Sequence, residues 1–144
     1  MADNDDERDD SASIPSFLSV NFDEVPEIEV KPEGEYEIKC DRVRMGNSKK
    51  TGDPYAMLFL SFADDPTGKD FTEVVMLPSP DSDPKTRIAR LNYVRTCAQA
   101  FDVDISSGVN FDDFVGQTTW AILGERDDPQ YGKSNTLREF IGVR

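Results

Sequence analysis

Residues 36–62 decide the fold: Tyr36-Glu37-Ile38-Lys39-Cys40-Asp41-Arg42-Val43-Arg44-Met45, then Gly46-Asn47-Ser48-Lys49-Lys50-Thr51-Gly52-Asp53-Pro54, then Tyr55-Ala56-Met57-Leu58-Phe59-Leu60-Ser61-Phe62. Tyr36, Ile38 and Cys40 alternate with Glu37, Lys39 and Asp41, the period of a half-buried strand. Val43 and Met45 fall out of that phase. One extra residue near Asp41 or Arg42 restores it, because a bulge reverses the facing of everything after it. A bulge also bends a strand sharply, as closing a small barrel requires. The central nine residues form a glycine-flanked loop with two adjacent lysines. The third piece is a strand with two apolar rows: Ala56, Leu58, Leu60 and Phe62 on one face, Tyr55, Met57 and Phe59 on the other. One row suffices for a core. The other needs a ligand, a second subunit or a second layer of the same chain.

Outward from this hairpin, residues 64–70 are a turn rich in Asp, Pro and Gly, and 71–77 are a third strand around Val74, Val75 and Met76. Asp83 or Ser82 offers an N-cap, with Pro84 in the first turn. Residues 85–101 then read as a helix with the apolar stripe Ile88, Leu91, Val94, Ala98 and Phe101; Arg87, Arg90 and Arg95 are expected on its exposed face. Residues 116–125, with Trp120, Ile122 and Leu123, give a fourth strand, 126–134 a loop, and 135–143 a fifth strand. On the N-terminal side, residues 14–33 alternate apolar side chains with Pro15, Pro26 and Pro32. They predict an extended arm that packs on the domain or on a neighbouring subunit. Residues 1–13 are an acidic, low-complexity tail expected to be disordered, and 34–144 form the folded domain.

The formal net charge is −13, but residues 1–33 hold eleven acids against two bases. Most of the negative charge therefore sits outside the domain. Cys40 and Cys97 have no metal-ligand spacing and the chain has no His, so the common nucleophile–base pairs are missing and no enzyme, metal or cofactor is expected. The acids Asp64, Asp65, Asp70 and Glu73 read as turn chemistry. Nothing resembles a signal peptide or membrane span, so a cytoplasmic protein with reduced thiols is expected.

Three strands, a helix and two strands is a mainly β plan with one helix, the element order of the OB-fold, although the same order can also give an open α+β sheet. The OB-fold is a five-stranded Greek-key barrel, and it binds oligonucleotides or oligosaccharides on strands 2–3 and on the loops joining strands 1–2 and 4–5. The unusual residues fall at those places. Arg42, Arg44, Lys49 and Lys50 lead into and fill the first loop; Tyr55 and Phe59 lie on the surplus face; Arg126, Tyr131 and Lys133 occupy the second loop; and Trp120 stands on the fourth strand. Aromatic faces that stack on any base, flanked by cations that follow the phosphates, form a sequence-tolerant single-strand site. Each residue also has a plainer role: the arm can cover Tyr55 and Phe59, Trp120 can be core, and the lysines can simply be solvated.

In residues 34–38 (Gly34-Glu35-Tyr36-Glu37-Ile38) and 48–58 (Ser48-Lys49-Lys50-Thr51-Gly52-Asp53-Pro54-Tyr55-Ala56-Met57-Leu58), the chain resembles bacteriophage OB-fold proteins of the single-stranded-DNA-binding type. These include a poorly characterised group tied to phage replication and recombination. Phe114-Val115-Gly116-Gln117 and Tyr131-Gly132-Lys133-Ser134-Asn135 fit the same pattern. The resemblance covers residues 22–141. It implies binding of single-stranded DNA, homo-oligomers or cooperative arrays, replication or recombination proteins as partners, and the host cytoplasm as location. Familiar bacterial members carry their acidic tail at the C-terminus, whereas the acidic run here is N-terminal. The alternative is an OB-fold protein-interaction module or an acidic DNA mimic.

Overall fold

The computed structural model describes residues 17–144; the acidic tail and the first residues of the arm lie outside that range. Five strands form one antiparallel sheet: β1 (Gly34–Asn47), β2 (Pro54–Phe62), β3 (Phe71–Met76), β4 (Thr118–Asp128) and β5 (Gly132–Gly142), in the order β3-β2-β1-β4-β5. One helix, α1 (Pro84–Ala100), joins β3 to β4. The sheet is open. β3 and β5 are its two edges, and they approach each other without a shared ladder.

The phase change in β1 is a register shift between Cys40 and Arg42, so that Cys40 faces Leu60 and Arg42 faces Phe59. Before it, Ile38 and Cys40 point inward; after it, Arg42 and Arg44 point outward. The long first strand thereby pairs with β4 over its first half and with β2 along most of its length.

The core lies between the inner face of the sheet and α1. Ile38, Cys40, Leu58, Leu60, Val75, Ala121 and Leu123 come from the strands, and Val94, Cys97, Ala98 and Phe101 from the helix and its end. Each fully buried Leu or Ile contributes about 1.5–3 kcal/mol. Phe111 and Phe114 form a single 3₁₀ turn that plugs the end of this core, with Phe101 edge-on to both Phe114 and Phe140. Phe62 and Phe71 are buried as core residues. Gly68 lets the β2–β3 turn fold back against Phe62, because a Cβ there would lie 2.2 Å from the ring. Both cysteines are buried and free, and burial pushes the Cys40 thiol up to about 11 and the Cys97 thiol up to about 12. Neither is poised to react.

Three expectations are corrected. The helix is capped by Asp83, whose carboxylate accepts from the Thr86 N–H at 2.8 Å, but its apolar stripe is only half used. Val94 and Ala98 are buried, whereas Ile88 is 60% and Leu91 42% exposed, because only the C-terminal turns of α1 reach the sheet. Arg90 is not solvated: it donates to Asp53 Oδ2 at 2.8 Å and to the Leu77 carbonyl at 3.0 Å. Residues 126–134 are mostly strand, since the β4–β5 ladder continues to Asp128 and Gly132.

Over most of its described length the arm does not pack on its own domain. Phe17, Leu18, Val20, Phe22, Val25 and Ile28 are exposed. Packing starts only at Glu29, which bridges to Gly68. Lys31 follows, with its ammonium on Asp65 at 2.8 Å and its backbone held at both polar groups by Asn135. That pairing holds the Asp65 carboxyl down at about 2. Among the described residues no helix is long and apolar enough to cross a membrane.

Candidate nucleic-acid interface

The outer face of the sheet is the one α1 leaves uncovered. Its rows follow from register. Arg42 stands opposite Phe59, Arg44 opposite Met57, Gly46 opposite Tyr55, and Lys39 opposite both Ser61 and Thr118. These contacts settle what occupies the surplus face of β2. The Arg42 guanidinium carbon lies 3.8 Å from the centre of the Phe59 ring and that of Arg44 5.6 Å from it. Arg44 also donates to Met57 Sδ at 3.7 Å. Tyr55 lies flat over Gly46, where a Cβ would come within 2.7 Å of the phenol oxygen. The described part of the arm does not cover Tyr55 or Phe59. The rival occupant of Phe59 is a cation of its own strand pair, the usual partner for the negative face of an aromatic ring.

Lys49 and Lys50 are exposed at the tip of the β1–β2 loop. The loop is built rather than loose. The Ser48 N–H donates to the Asp53 carbonyl and the Gly52 N–H to the Ser48 carbonyl, both at 2.7 Å. The Asn47 side chain donates to the Gly52 carbonyl, and Gly52 takes the positive φ of 78° that the turn needs. The Arg90–Asp53 ion pair ties the loop to α1. Both members are largely shielded from solvent, which sets this pair apart from an exposed one. The lysines therefore project from a fixed base.

The remaining residues lie further along the face. Trp120 stands opposite Glu37 and half-buried, with the Arg144 guanidinium 4.7 Å from its ring centre and that same arginine on Glu35 at 2.7 Å. Glu35, Glu37, Asp64 and Asp65 gather with Tyr36, Phe62 and Trp120 around a cavity of about 180 Å³, so this end of the face is acidic. Arg126 and Lys133 sit on the β4–β5 hairpin, and Tyr131 is 76% exposed at its tip. The ladders place that hairpin and the Lys49–Lys50 loop beyond opposite ends of β1.

The structure thus unites Arg42, Arg44, Tyr55, Phe59, Lys49 and Lys50 on one continuous surface. It sets Trp120 apart by the acids around it and leaves Arg126, Tyr131 and Lys133 on a separate projection. Two cations belong with these groups. Lys39 is exposed on the outer row, as the alternation of β1 already implied. Lys69 donates to the Lys133 carbonyl at 2.6 Å, an association no sequence signal carried.

Comparison with family models finds no match, and comparison with curated proteins finds none either.

Proposed function

We propose that the chain is a sequence-tolerant single-stranded-DNA-binding protein of the OB-fold plan, acting in phage-type DNA replication or recombination. One observation carries it: Arg42 and Arg44 bracket Phe59 on the outer face of β1–β2, and the same strand pair ends in the tethered Lys49–Lys50 loop. Bases stack on aromatic rings and on guanidinium planes alike, while cations beside them neutralise phosphates. Support for the OB plan comes from the strand order β3-β2-β1-β4-β5, the helix between β3 and β4, and the close approach of the two edge strands. The strand runs across Tyr55, Phe59 and the guanidinium plane of Arg42, whose charge also faces a phosphate, as do those of Lys39, Arg44, Lys49 and Lys50; Arg126, Tyr131 and Lys133 extend the contact only for longer strands.

The test is a titration of labelled oligo-dT at low salt, with the full chain and with residues 1–13 removed. Binding that an equal mass of duplex does not match supports the assignment. Failure of both forms to bind oligo-dT sinks it. A second reading is favoured by the acidic cavity around Trp120: an OB-fold adaptor that takes a basic segment of another protein. Glu35→Gln with Glu37→Gln separates the two. It leaves DNA binding intact or improved, and it weakens an adaptor contact.

A further inference from the structure

Two apolar surfaces lack a partner within the described chain, and they are complementary. The first is the arm, residues 17–28. Phe17 is 78% exposed, and Leu18, Val20, Phe22, Val25 and Ile28 are also open to solvent. Six large apolar residues in one short exposed segment exceed the scattered exposure of an ordinary monomer surface. Asp23, Glu24, Glu27 and Glu29 accompany them, with no base. The second is the N-terminal half of α1, where Ile88 and Leu91 lie three residues apart on one face. Around them Lys85, Arg87 and Arg95 are exposed, and the helix contains no acid. Apart from the capping Asp83 at its start, the helix surface is basic, and the arm is acidic.

We infer that residues 17–28 of one copy dock on the Ile88–Leu91 face of a second copy, giving a reciprocal arm-exchanged dimer. The arm is rooted at the Glu29–Gly68 bridge beside the β2–β3 turn. The N-terminal half of α1 lies at the far end of β3, where Arg90 meets Leu77 and Asp53. Six residues of strand put about 20 Å between these points, and the arm makes no contact across that gap. A two-fold arrangement satisfies both surfaces at once, as closed symmetry favours. One arm and one helix face from each protomer approach the roughly 20–30 residues a side of a standard interface. Lys85, Arg87 and Arg95 stand on the helix, away from the outer sheet face, so the dimer leaves that face free.

Sedimentation equilibrium of the full chain across the micromolar range is expected to give twice the chain mass. Ile88→Glu with Leu91→Glu, both at exposed positions, returns the monomer. So do two charge reversals, each alone: Asp23→Lys/Glu24→Lys/Glu27→Lys in the arm, and Arg87→Glu/Arg95→Glu on the helix. Mixing the two reversed chains restores a dimer, because the lysine arm meets the glutamate helix and the native arm meets the native helix. A monomeric wild-type chain overturns the inference, as does a dimer that survives the helix substitutions. Separate reversed chains that stay monomeric when mixed overturn it too.

Discussion

Lys49→Gln together with Lys50→Gln should change how oligo-dT binding depends on salt more than it changes the fold. Lys39, Arg42, Arg44, Lys49 and Lys50 are exposed on the outer face or its loop, and among the described residues none is in an ion pair. If each neutralises one phosphate, a slope of about −0.7 per contact on a single strand gives log K against log salt of about −3.5. Between about 50 and 200 mM salt the native chain then loses roughly 100-fold in affinity. With two contacts removed the slope falls to about −2, and the same change of salt costs only about 20-fold. The loop keeps its shape, because its backbone bonds and the Asp53–Arg90 tie involve neither lysine side chain. Fluorescence anisotropy with a labelled oligo-dT, read at four or more salt concentrations, measures both slopes. Lys49→Arg with Lys50→Arg is the control and keeps the native slope. A native affinity indifferent to salt, or a double variant with the native slope, would refute the assignment of these lysines to phosphates.

Four further outcomes follow from individual contacts. Phe59→Ala and Arg42→Ala should each weaken oligo-dT binding by about tenfold, within the range for one stacked base. A double-mutant cycle should show them coupled, and strict additivity would separate the two roles. Gly46→Val should weaken binding about as much as Tyr55→Ala, since any Cβ at Gly46 displaces the Tyr55 ring; wild-type binding by Gly46→Val would show that Tyr55 does not touch the strand. Asn135→Ala should destabilise the chain by about 2–3 kcal/mol in urea unfolding, because it leaves the Lys31 N–H and carbonyl without partners and removes a donor from the Gly124 carbonyl. A loss well under 1 kcal/mol would mean that water replaces the amide. Burial raises the Glu73 pKa, against the opposing hydrogen bond from Tyr93 and the charge of Arg126. The folded state therefore holds this proton more tightly than the unfolded chain, so Glu73 costs stability as pH rises through its folded pKa. Glu73→Gln should raise the melting temperature at pH 7 and leave it unchanged at pH 3; equal shifts at both would exclude titration as the cause.

How much of this was legible in the sequence depends on how local each signal is. The β1 bulge was legible because it breaks a period of two within a few residues, and the facing of Arg42 and Arg44 follows from it. The two rows of β2 were legible for the same reason, but not that a guanidinium from the next strand would cover one of them, since register across a pair is not written in either strand alone. The 88–101 stripe has helical spacing throughout. Periodicity says which residues share a face, not how far the neighbouring sheet extends beneath it, so the stripe alone does not show that Ile88 and Leu91 stay open to solvent. The 126–134 stretch reads as a loop because Pro129 and Gly132 punctuate it beside Tyr131 and Lys133. In fact Asp128 accepts from the Gln130 and Tyr131 N–H groups and closes a tight turn. The strands on either side project past the core, where backbone pairing needs no apolar alternation. Asn135 carried no signal, since its partner is 104 residues away and a lone amide in a strand reads as surface.

Trp120 is the single tryptophan of the chain, and it lies half-buried on the outer face beneath the Arg144 guanidinium. Its indole emission is therefore a built-in optical reporter that needs no dye. A base that displaces Arg144 would quench it by direct stacking. A strand confined to the basic end would leave its intensity alone. A partner's lysine or arginine entering the acidic cavity would shift its colour instead. One cuvette of unmodified protein can thus distinguish which end of the sheet a given molecule has found.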